Sequence, residues 1–397
     1  MIVIIAAIML FPAALATAYY AILALVSLLP PRMQKTGPAP IAHRFAVLIP
    51  AHDEENTISK SVHSCLRMDY PLDKFDVYVI ADNCSDRTAV VAQACGARCL
   101  VRTDASKKGK GYALEWGFQN LRSAGYDAFV VVDADCTLDS AALRAFDLEL
   151  SLGAEALQAS DGVSNADENA VSYALAVGNL VENRLFYEAK SRLGLPVFLR
   201  GTGMVLRTSL LERIPWNAHS VVEDLEYSLR LVAAGQHVRF LRHIEVRSAF
   251  PVTGRQLHVQ RERWAKGNLG FGRRHAFRLM MDGVKQRSPG LLDAGWTLLV
   301  LSRPLVLAYL LGSVIGCFLI RRFAPGPHAG LLFAAALILL AINVLYFGLG
   351  VFLLGVTWPR LLLLMSIPLV VARLAWISMR GLTGAEALQW NRTPRSQ

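Results

Sequence analysis

Two carboxylates follow an apolar run in the middle of this chain. Residues 129–132 are Phe-Val-Val-Val, and they lead into Asp133, an alanine and Asp135. Four consecutive β-forming residues predict a buried parallel strand, and open α/β sheets bind ligands at the carboxyl ends of such strands. Side chains at positions i and i+2 project to the same side, so these aspartates could share a Mg2+ or Mn2+ ion. An ordinary solvated strand-to-turn junction is the alternative interpretation.

Acidic side chains also follow the two preceding apolar runs. Residues 45–50 form the first predicted strand and lead to Asp53 and Glu55, and residues 75–80 form the second and lead to Asp82. The alternation of such strands with helical patterns predicts an α/β domain. Three strands that each end on acidic side chains are difficult to explain by packing alone. We therefore expect these groups to meet at one ligand-binding edge of the sheet.

A lysine and two glycines mark further segments that could approach a ligand. Lys110 belongs to a stretch of lysines and glycines at the predicted start of a helix, where free backbone N–H groups attract anions. A solvated basic loop is the alternative there. Gly201 and Gly203 flank Thr202, and a missing side chain lets the backbone approach a ligand closely. A plain turn is the alternative interpretation of this second segment.

Two predicted helices carry side chains suited to acid–base and sugar chemistry. Glu223 and Asp224 open the first, where acidic residues commonly complement the helix dipole but where a carboxylate in a cleft could also act as a general base. Gln260, Arg263 and Trp264 lie at positions i, i+3 and i+4 of the second and share one face. Arginine can engage anionic oxygens while tryptophan stacks on a sugar ring. A cationic amphipathic helix at a membrane surface is the alternative, and the two interpretations are compatible.

The composition indicates a soluble domain joined to membrane segments. Of the 397 residues, 54% are hydrophobic, and the mean hydropathy is +0.37, which is too apolar for an ordinary soluble protein. The net charge is +10, but no basic tract with interleaved aromatic residues is visible in the sequence. The charge therefore favours anionic lipid headgroups and an anionic substrate over nucleic acid as binding partners. The six cysteines fit no zinc or redox spacing, which predicts reduced thiols.

The apolar segments lie at both ends of the chain. In order, we predict a transmembrane anchor at 1–30, a linker at 31–44, an α/β domain with an interfacial helix at 45–290, transmembrane or interfacial helices at 291–379 and a polar tail at 380–397. A cleaved signal peptide is the alternative to the anchor. Basic residues directly after the anchor predict a cytoplasmic domain and an N-terminus outside.

Taken together, these motifs resemble those of the membrane-integrated family 2 glycosyltransferases. The matching segments, in order, are residues 50–55, Asp82, and residues 110–114, 133–135, 223–224 and 260–264. The family includes cellulose, chitin, hyaluronan and poly-N-acetylglucosamine synthases. The resemblance implies a GT-A fold inserted between transmembrane helices. It also implies an inverting, metal-dependent transfer from a nucleotide sugar, usually a UDP-sugar.

The resemblance implies a role for each candidate residue. Asp133 and Asp135 would hold the donor diphosphate and Mg2+ or Mn2+, and Asp224 would deprotonate the acceptor hydroxyl. The donor side would comprise Asp53, Glu55, Asp82, Lys110 and Asp133, with Asp53 and Asp82 at the base and ribose. The acceptor and the leaving diphosphate would be positioned by Gly201, Thr202, Gly203, Glu223, Gln260, Arg263 and Trp264.

The implied function is the extension of a polysaccharide or oligosaccharide with glucose or N-acetylglucosamine at the inner (plasma) membrane. The implied partners are a UDP-sugar, a saccharide or lipid-linked acceptor, the lipid bilayer and other polysaccharide assembly or export proteins. Single addition to a lipid acceptor and a catalytically silent scaffold are the alternatives. Residues 390–395 resemble the family's gating loops, which implies a cytoplasmic tail. One C-terminal segment should then be interfacial or re-entrant, because the anchor plus three full C-terminal spans would leave the tail outside.

Overall fold

One mixed β-sheet forms the centre of the α/β domain. The computed structural model describes residues 2–30 and 41–383. Within these residues the strands are β1 (Phe45–Ala51), β2 (Phe75–Asp82), β3 (Arg98–Arg102), β4 (Ala128–Val131), β5 (Thr137–Leu138), β6 (Ala156–Val163), β7 (Met204–Arg207) and β8 (Val238–Ser248). They pair in the order β3-β2-β1-β4-β7-β6-β8-β5.

Helices cover the faces of this sheet and form both ends of the described chain. In chain order they are α1 (Ile2–Leu28), α2 (Ile58–Leu66), α3 (Thr88–Ala94), α4 (Lys110–Leu121), α5 (Ala142–Ser151), α6 (Ala170–Leu180), α7 (Glu188–Arg192), α8 (Thr208–Arg213), α9 (Glu223–Ala233), α10 (Gly254–Lys285), α11 (Pro289–Val300), α12 (Arg303–Phe323), α13 (Pro327–Leu354), α14 (Trp358–Leu364) and α15 (Ile367–Thr383). A π-helical segment, Val181–Tyr187, joins α6 to α7. Such segments often occur at functional sites, and this one borders the cavity described below.

The strands that lead to the acidic residues are buried on both faces. Neighbouring residues of β1, such as Val47 and Leu48, belong to two separate apolar clusters and have no exposed surface. This pattern is expected for parallel strands covered by helices, and it explains the unbroken apolar runs. β1 pairs in parallel with both β2 and β4. The carboxyl ends of the three strands therefore meet at one edge of the sheet.

The strand predicted at 129–132 has a parallel partner on one side only. On its other side, β4 pairs antiparallel with β7. This register places Thr202 beside Asp133, whose backbone N–H donates to the Thr202 hydroxyl oxygen at 3.1 Å. The N–H of Gly203 donates to the Val131 carbonyl at 2.8 Å. The antiparallel pair thus brings two distant sequence motifs into contact, a choice that the local apolar pattern does not specify.

Three helices among the described residues are long and apolar enough to cross a membrane, namely α1, α12 and α13. The apolar region predicted at 291–379 breaks before Arg303, between the end of α11 and the start of α12. The last apolar stretch forms two helices, α14 and α15, bent by 46°. Arg360 at the start of α14 pairs with both carboxylate oxygens of Asp167, at 2.6 and 2.9 Å, and Gly381 packs against Ala265 of α10. Both ends of the bent pair therefore contact the α/β domain or its helix α10.

Two predicted segments lie outside the described residues. They are residues 31–40 of the linker and the tail from residue 384 onward, which contains the gating-loop-like residues 390–395. The predicted roles of both segments stay predictions.

A buried ion pair connects the domain to the helix before the first C-terminal span. Lys190 on α7 has no exposed surface, and its Nζ lies 2.8 Å from Asp293 Oδ2 and 2.7 Å from the Thr297 hydroxyl oxygen on α11. Tyr19 of α1 donates to Asp293 Oδ1 at 2.7 Å. One pair of charges therefore holds α1, α7 and α11 together.

We expect Lys190→Met to lower the free energy of unfolding by about 3–5 kcal/mol, because the Asp293 charge would stay buried without its partner. Thermal denaturation in detergent measures this loss. The double variant Lys190→Met/Asp293→Leu is the matched control and should regain most of the stability, since it leaves no lone charge. Equal stability of the single variant and the parent would show that the pair does not hold these helices together.

Candidate active site

A cavity of about 2380 Å3 begins at the carboxyl ends of β1, β2 and β4 and continues between α12, α13 and α15. The predicted site residues that line it are Asp53, Asp82, Lys110, Asp133, Asp135, Gly201, Thr202, Glu223, Asp224, Gln260, Arg263 and Trp264. Glu55 and Gly203 lie outside this lining. The Glu55 carboxylate accepts the backbone N–H of Arg87 at 3.1 Å. Gly203 has φ +65°, and a Cβ there would lie 2.7 Å from Val246, so its position serves strand packing.

Backbone and side-chain groups of the domain hold the carboxylates of Asp53 and Asp82. Asp53 follows β1 with φ +55°, and its Oδ1 accepts the backbone N–H groups of Ser85 and Asp86 at 2.7 and 3.2 Å. Although burial opposes them, these hydrogen bonds lower the pKa of Asp53. Asp82 ends β2 and forms a buried ion pair with Arg102 at 2.5 Å. Both side chains are therefore oriented before any ligand binds.

Lys110 connects three of the predicted motifs. Its Nζ contacts the Asp133 carboxylate, donates to the Gly201 carbonyl at 2.7 Å and lies 3.9 Å from Glu223 Oε1. Burial disfavours the ammonium form, but the carboxylates of Asp133 and Glu223 outweigh it and raise the pKa of Lys110. A charged ammonium group therefore stands among the carboxylates, where it could also bind an anionic ligand.

Glu223 and Asp224 occupy the first turn of α9 and face the same cavity. Burial raises the pKa of both carboxyl groups, and the charge of Lys110 opposes this change. Asp224 Oδ1 accepts the backbone N–H of Leu225 at 2.7 Å, and its Oδ2 would lie 3.3 Å from a Cβ at Gly201. A carboxylate that faces a cavity and has a raised pKa is suited to accept a proton from a hydroxyl group.

Asp133 and Asp135 form a group that could hold a divalent cation. One ligand atom each from Asp133, Asp135 and Cys136 lies within 4.8 Å of the others. Burial raises the pKa of the Cys136 thiol, which leaves two carboxylates as the donor set for a hard cation. Mg2+ and Mn2+ suit such a set, because water and phosphate oxygens complete their coordination.

The start of α10 supplies the wall opposite the aspartates. Burial lowers the pKa of Arg263. The nearby carboxylates of Glu223, Asp133 and Asp135 act in the opposite direction and raise it. The guanidinium carbon of Arg261 lies 4.9 Å from the ring centroid of Trp264. Gln260 Oε1 is buried and has no hydrogen-bond partner among the residues that the structure describes. An amide, two guanidinium groups and an indole thus border the space beside Asp133.

Comparison with known families identifies the class of enzyme. A family model described as "Glycosyltransferase like family 2" matches residues 43–267, more than half of the chain. The chain is a family 2 glycosyltransferase. The matched region contains every acidic residue and motif that the sequence predicted for the site, and it confirms the predicted enzyme class.

Curated relatives of this glycosyltransferase differ in the product that their names state. The chain is 28% identical over 232 residues to beta-monoglucosyldiacylglycerol synthase of Trichormus variabilis, which covers 56% of this chain and 48% of that protein. It is also 28% identical over 236 residues to the cellulose synthase 1 catalytic subunit of Komagataeibacter xylinus. That match covers 56% of this chain and 30% of the subunit. The chain thus matches about half the length of the first relative and less of the second.

A solved structure confirms the predicted GT-A fold. The mannosyltransferase PcManGT from Pyrobaculum calidifontis, in complex with GDP-Man and Mn2+, superimposes with a TM-score of 0.61. The comparison covers 96% of this chain and 99% of that one at 18% identity. The likeness therefore extends over the α/β domain and the apolar helices of the glycosyltransferase.

The same cavity contains a charged network that was not predicted from the sequence. Arg200 Nη2 lies 2.9 Å from Asp161 Oδ2 and 3.9 Å from Glu182 Oε1, and Arg303 Nη1 lies 3.3 Å from Glu182 Oε2. Two signals could have indicated it: Asp161 follows the buried part of β6, and Arg303 stands at the start of an apolar run. Their contact through Glu182 depends on tertiary structure alone.

Proposed function

We propose that this glycosyltransferase adds one sugar from a nucleotide-sugar donor to a hydroxyl group of a membrane lipid. The observation that supports a lipid acceptor most directly is the continuity of the cavity. It leads from Asp224 into an apolar groove between α12, α13 and α15. An acyl chain could lie in this groove while the hydroxyl of its headgroup reaches Asp224.

Aliphatic and small side chains form the walls of the groove. They include Leu307, Leu311 and Ile315 on α12, Val344, Gly348 and Val351 on α13, and Ile367, Val371 and Ala375 on α15. α12 packs against both other helices, whereas the contact between α13 and α15 is slight at most. The groove therefore runs along α12 between the two other helices, where an acyl chain could bind. Such walls suit a hydrocarbon chain, whereas a moving polysaccharide would need hydrogen-bonding partners.

Extension of a polysaccharide is the second candidate function. The sequence 260–264 has the Gln-Arg-x-Arg-Trp form of processive family members. Trp264 lines the cavity and is 36% exposed, so it could stack on an acceptor sugar. The cellulose synthase relative supports this candidate, and the glucosyldiacylglycerol synthase relative supports the lipid acceptor. The aliphatic groove favours the lipid.

The donor would bind at the aspartate end of the cavity. Asp53 and Asp82 would contact its base and ribose, and Lys110 and Arg263 would bind the diphosphate. The expected donors are UDP-glucose and UDP-N-acetylglucosamine, and GDP-mannose is a further candidate because PcManGT was solved with GDP-Man. This arrangement would leave the sugar between the diphosphate and Asp224.

Transfer would be a single displacement. Asp133 and Asp135 would hold Mg2+ or Mn2+, which neutralises charge on the departing diphosphate when it is bound. Asp224 would remove the proton of the acceptor hydroxyl as its oxygen attacks the anomeric carbon. Attack from the face opposite the diphosphate inverts that carbon, so an α-linked donor would yield a β-linked product.

We also propose that α1, α12 and α13 cross the inner (plasma) membrane with the α/β domain in the cytoplasm. Arg44 at the start of the domain is one of the basic residues that support this orientation. Three crossings return the chain to the side of the domain. The contacts of Arg360 with Asp167 and of Gly381 with Ala265 support an interfacial or re-entrant path for α14 and α15.

The test is transfer by the purified protein in lipid nanodiscs with each donor and Mn2+ or Mg2+. Mass spectrometry should find one sugar added to a hydroxyl-bearing lipid such as diacylglycerol. Gly312→Phe should raise the KM for the lipid about tenfold, equal to ~1.4 kcal/mol of binding. Its ring would extend into the groove, since Gly312 lines the groove and faces open space.

Gly316→Phe is the matched control. Gly316 lies one turn further along α12, also faces open space and is outside the described lining of the groove, so this variant should keep the KM of the parent. A ladder of products grown from soluble oligosaccharides, without transfer to lipid, would contradict the lipid acceptor and support polysaccharide extension.

A further inference from the structure

The wall between Asp224 and the apolar groove carries paired charges. Arg200 bridges Asp161 and Glu182, and Glu182 in turn pairs with Arg303. Burial raises the pKa of Asp161 to about 6 against the charge of Arg200, and the nearby carboxylate of Asp224 contributes. The network therefore begins close to the proposed base. It ends at Arg303, the first residue of the helix that forms the groove.

Four polar atoms on this wall, which includes the adjoining residues Gln260 and Arg261 of α10, lack a hydrogen-bond partner among the side chains that the structure describes. Two are acceptors, Asp161 Oδ1 and Gln260 Oε1, and two are donors, the Nε groups of Arg261 and Arg303. Arg303 is only 7% exposed. Buried polar atoms in native proteins normally pair with protein, water or a ligand. Because all four residues line the cavity, a ligand in the cavity is a natural source of those partners.

The mixture of donors and acceptors limits the chemistry of that ligand. A phosphate group offers acceptors alone, so it would satisfy the arginines but meet repulsion from Asp161 and Glu182. A single hydroxyl group donates one hydrogen bond and could satisfy one of the two acceptors. A sugar or other polyol carries several hydroxyl groups that each donate and accept, and paired carboxylates and guanidinium groups provide both kinds of partner.

We propose that this wall is a subsite for the polyhydroxylated headgroup of the acceptor lipid, so that the enzyme extends a glycolipid rather than glycosylating a lipid with a single hydroxyl. This inference rests on the proposed lipid acceptor and names its class. The acyl chains would lie in the groove and the sugar headgroup against the wall. One headgroup hydroxyl would then face Asp224.

The experiment compares three acceptors in nanodiscs with the preferred donor. They are a monohexosyl diacylglycerol, diacylglycerol and phosphatidic acid. We expect kcat/KM to be at least about tenfold higher for the monohexosyl lipid, since a site with buried polar groups discriminates against ligands that leave them unpaired. Asp161→Ala should lower this value about tenfold and lower kcat/KM for diacylglycerol much less, so that the preference for the monohexosyl lipid is lost. Asp161→Asn retains one oxygen acceptor, so its kcat/KM for the monohexosyl lipid should lie between those of the parent and the alanine variant.

Hydrolysis of the donor without acceptor reports on the donor half of the site. It should be equal in the parent and in both Asp161 variants, and this equality also shows that the variants are folded. Equal use of all three lipids, or an equal loss with every acceptor in Asp161→Ala, would overturn the headgroup subsite and leave the lipid acceptor standing. Transfer to none of the lipids, with intact donor hydrolysis, would overturn the proposed function and this inference together.

Discussion

Replacement of Asp224 by asparagine is expected to lower kcat/KM for sugar transfer about 10²–10⁴-fold, the range for loss of a general base. The amide has the size of the carboxylate and can still accept the Leu225 N–H that the carboxylate accepts at 2.7 Å, but it cannot take up the acceptor proton. Initial rates of lipid product formation at saturating donor measure the effect. The affinity for the nucleoside diphosphate should change little, because Asp224 itself makes none of the proposed donor contacts.

The pH dependence of transfer provides a second measurement on Asp224. Because burial raises the pKa of this carboxyl group, it is protonated at a higher pH than an ordinary aspartate. As pH falls, kcat/KM should therefore begin to decline at a higher pH than it would with an ordinary aspartate as the base. Glu223→Gln is the matched control on the neighbouring residue and should keep more activity than Asp224→Asn. A larger loss in Glu223→Gln would move the role of base to Glu223 and contradict the proposal.

Asp133→Asn is expected to have the second-largest effect, a loss of about 10²–10³-fold in kcat/KM, comparable to the removal of one group that stabilises developing charge. The Asp133 carboxylate contacts the Lys110 ammonium and lies with Asp135 in the group suited to a divalent cation. Asparagine preserves the size of the side chain and removes its charge. A titration of the transfer rate with Mn2+ should therefore show an apparent affinity lowered at least about tenfold, the equivalent of ~1.4 kcal/mol.

Asp69→Asn is the control for this variant. Asp69 is an exposed carboxylate that pairs with Arg144 on the domain surface, so its loss should leave both the rate and the Mn2+ titration unchanged. Direct measurement of Mn2+ binding by electron paramagnetic resonance separates metal affinity from activity. An unaltered Mn2+ affinity in Asp133→Asn would show that the cation is held elsewhere.

Local sequence patterns predicted which acidic residues meet at one edge of the sheet. The runs at 45–50, 75–80 and 129–132 are uninterrupted because their strands are buried on both faces, and parallel strands that enter a sheet in the same direction end at the same edge. The acidic residues beyond them could therefore be located before the fold was known. Glu55 was the exception, since its carboxylate turns to the backbone of Arg87, a choice made by turn geometry.

The sequence by itself determined the burial of the strands, the acidic residues at their ends and the apolar helices, because periodicity and composition are local properties. Tertiary structure alone decided three features: the antiparallel pairing that brings Thr202 to Asp133, the apolar groove between α12, α13 and α15 that continues the cavity, and the network from Asp161 to Arg303. Each depends on contacts between residues far apart in the chain. Such contacts follow from how whole elements pack, and no short stretch of sequence encodes them.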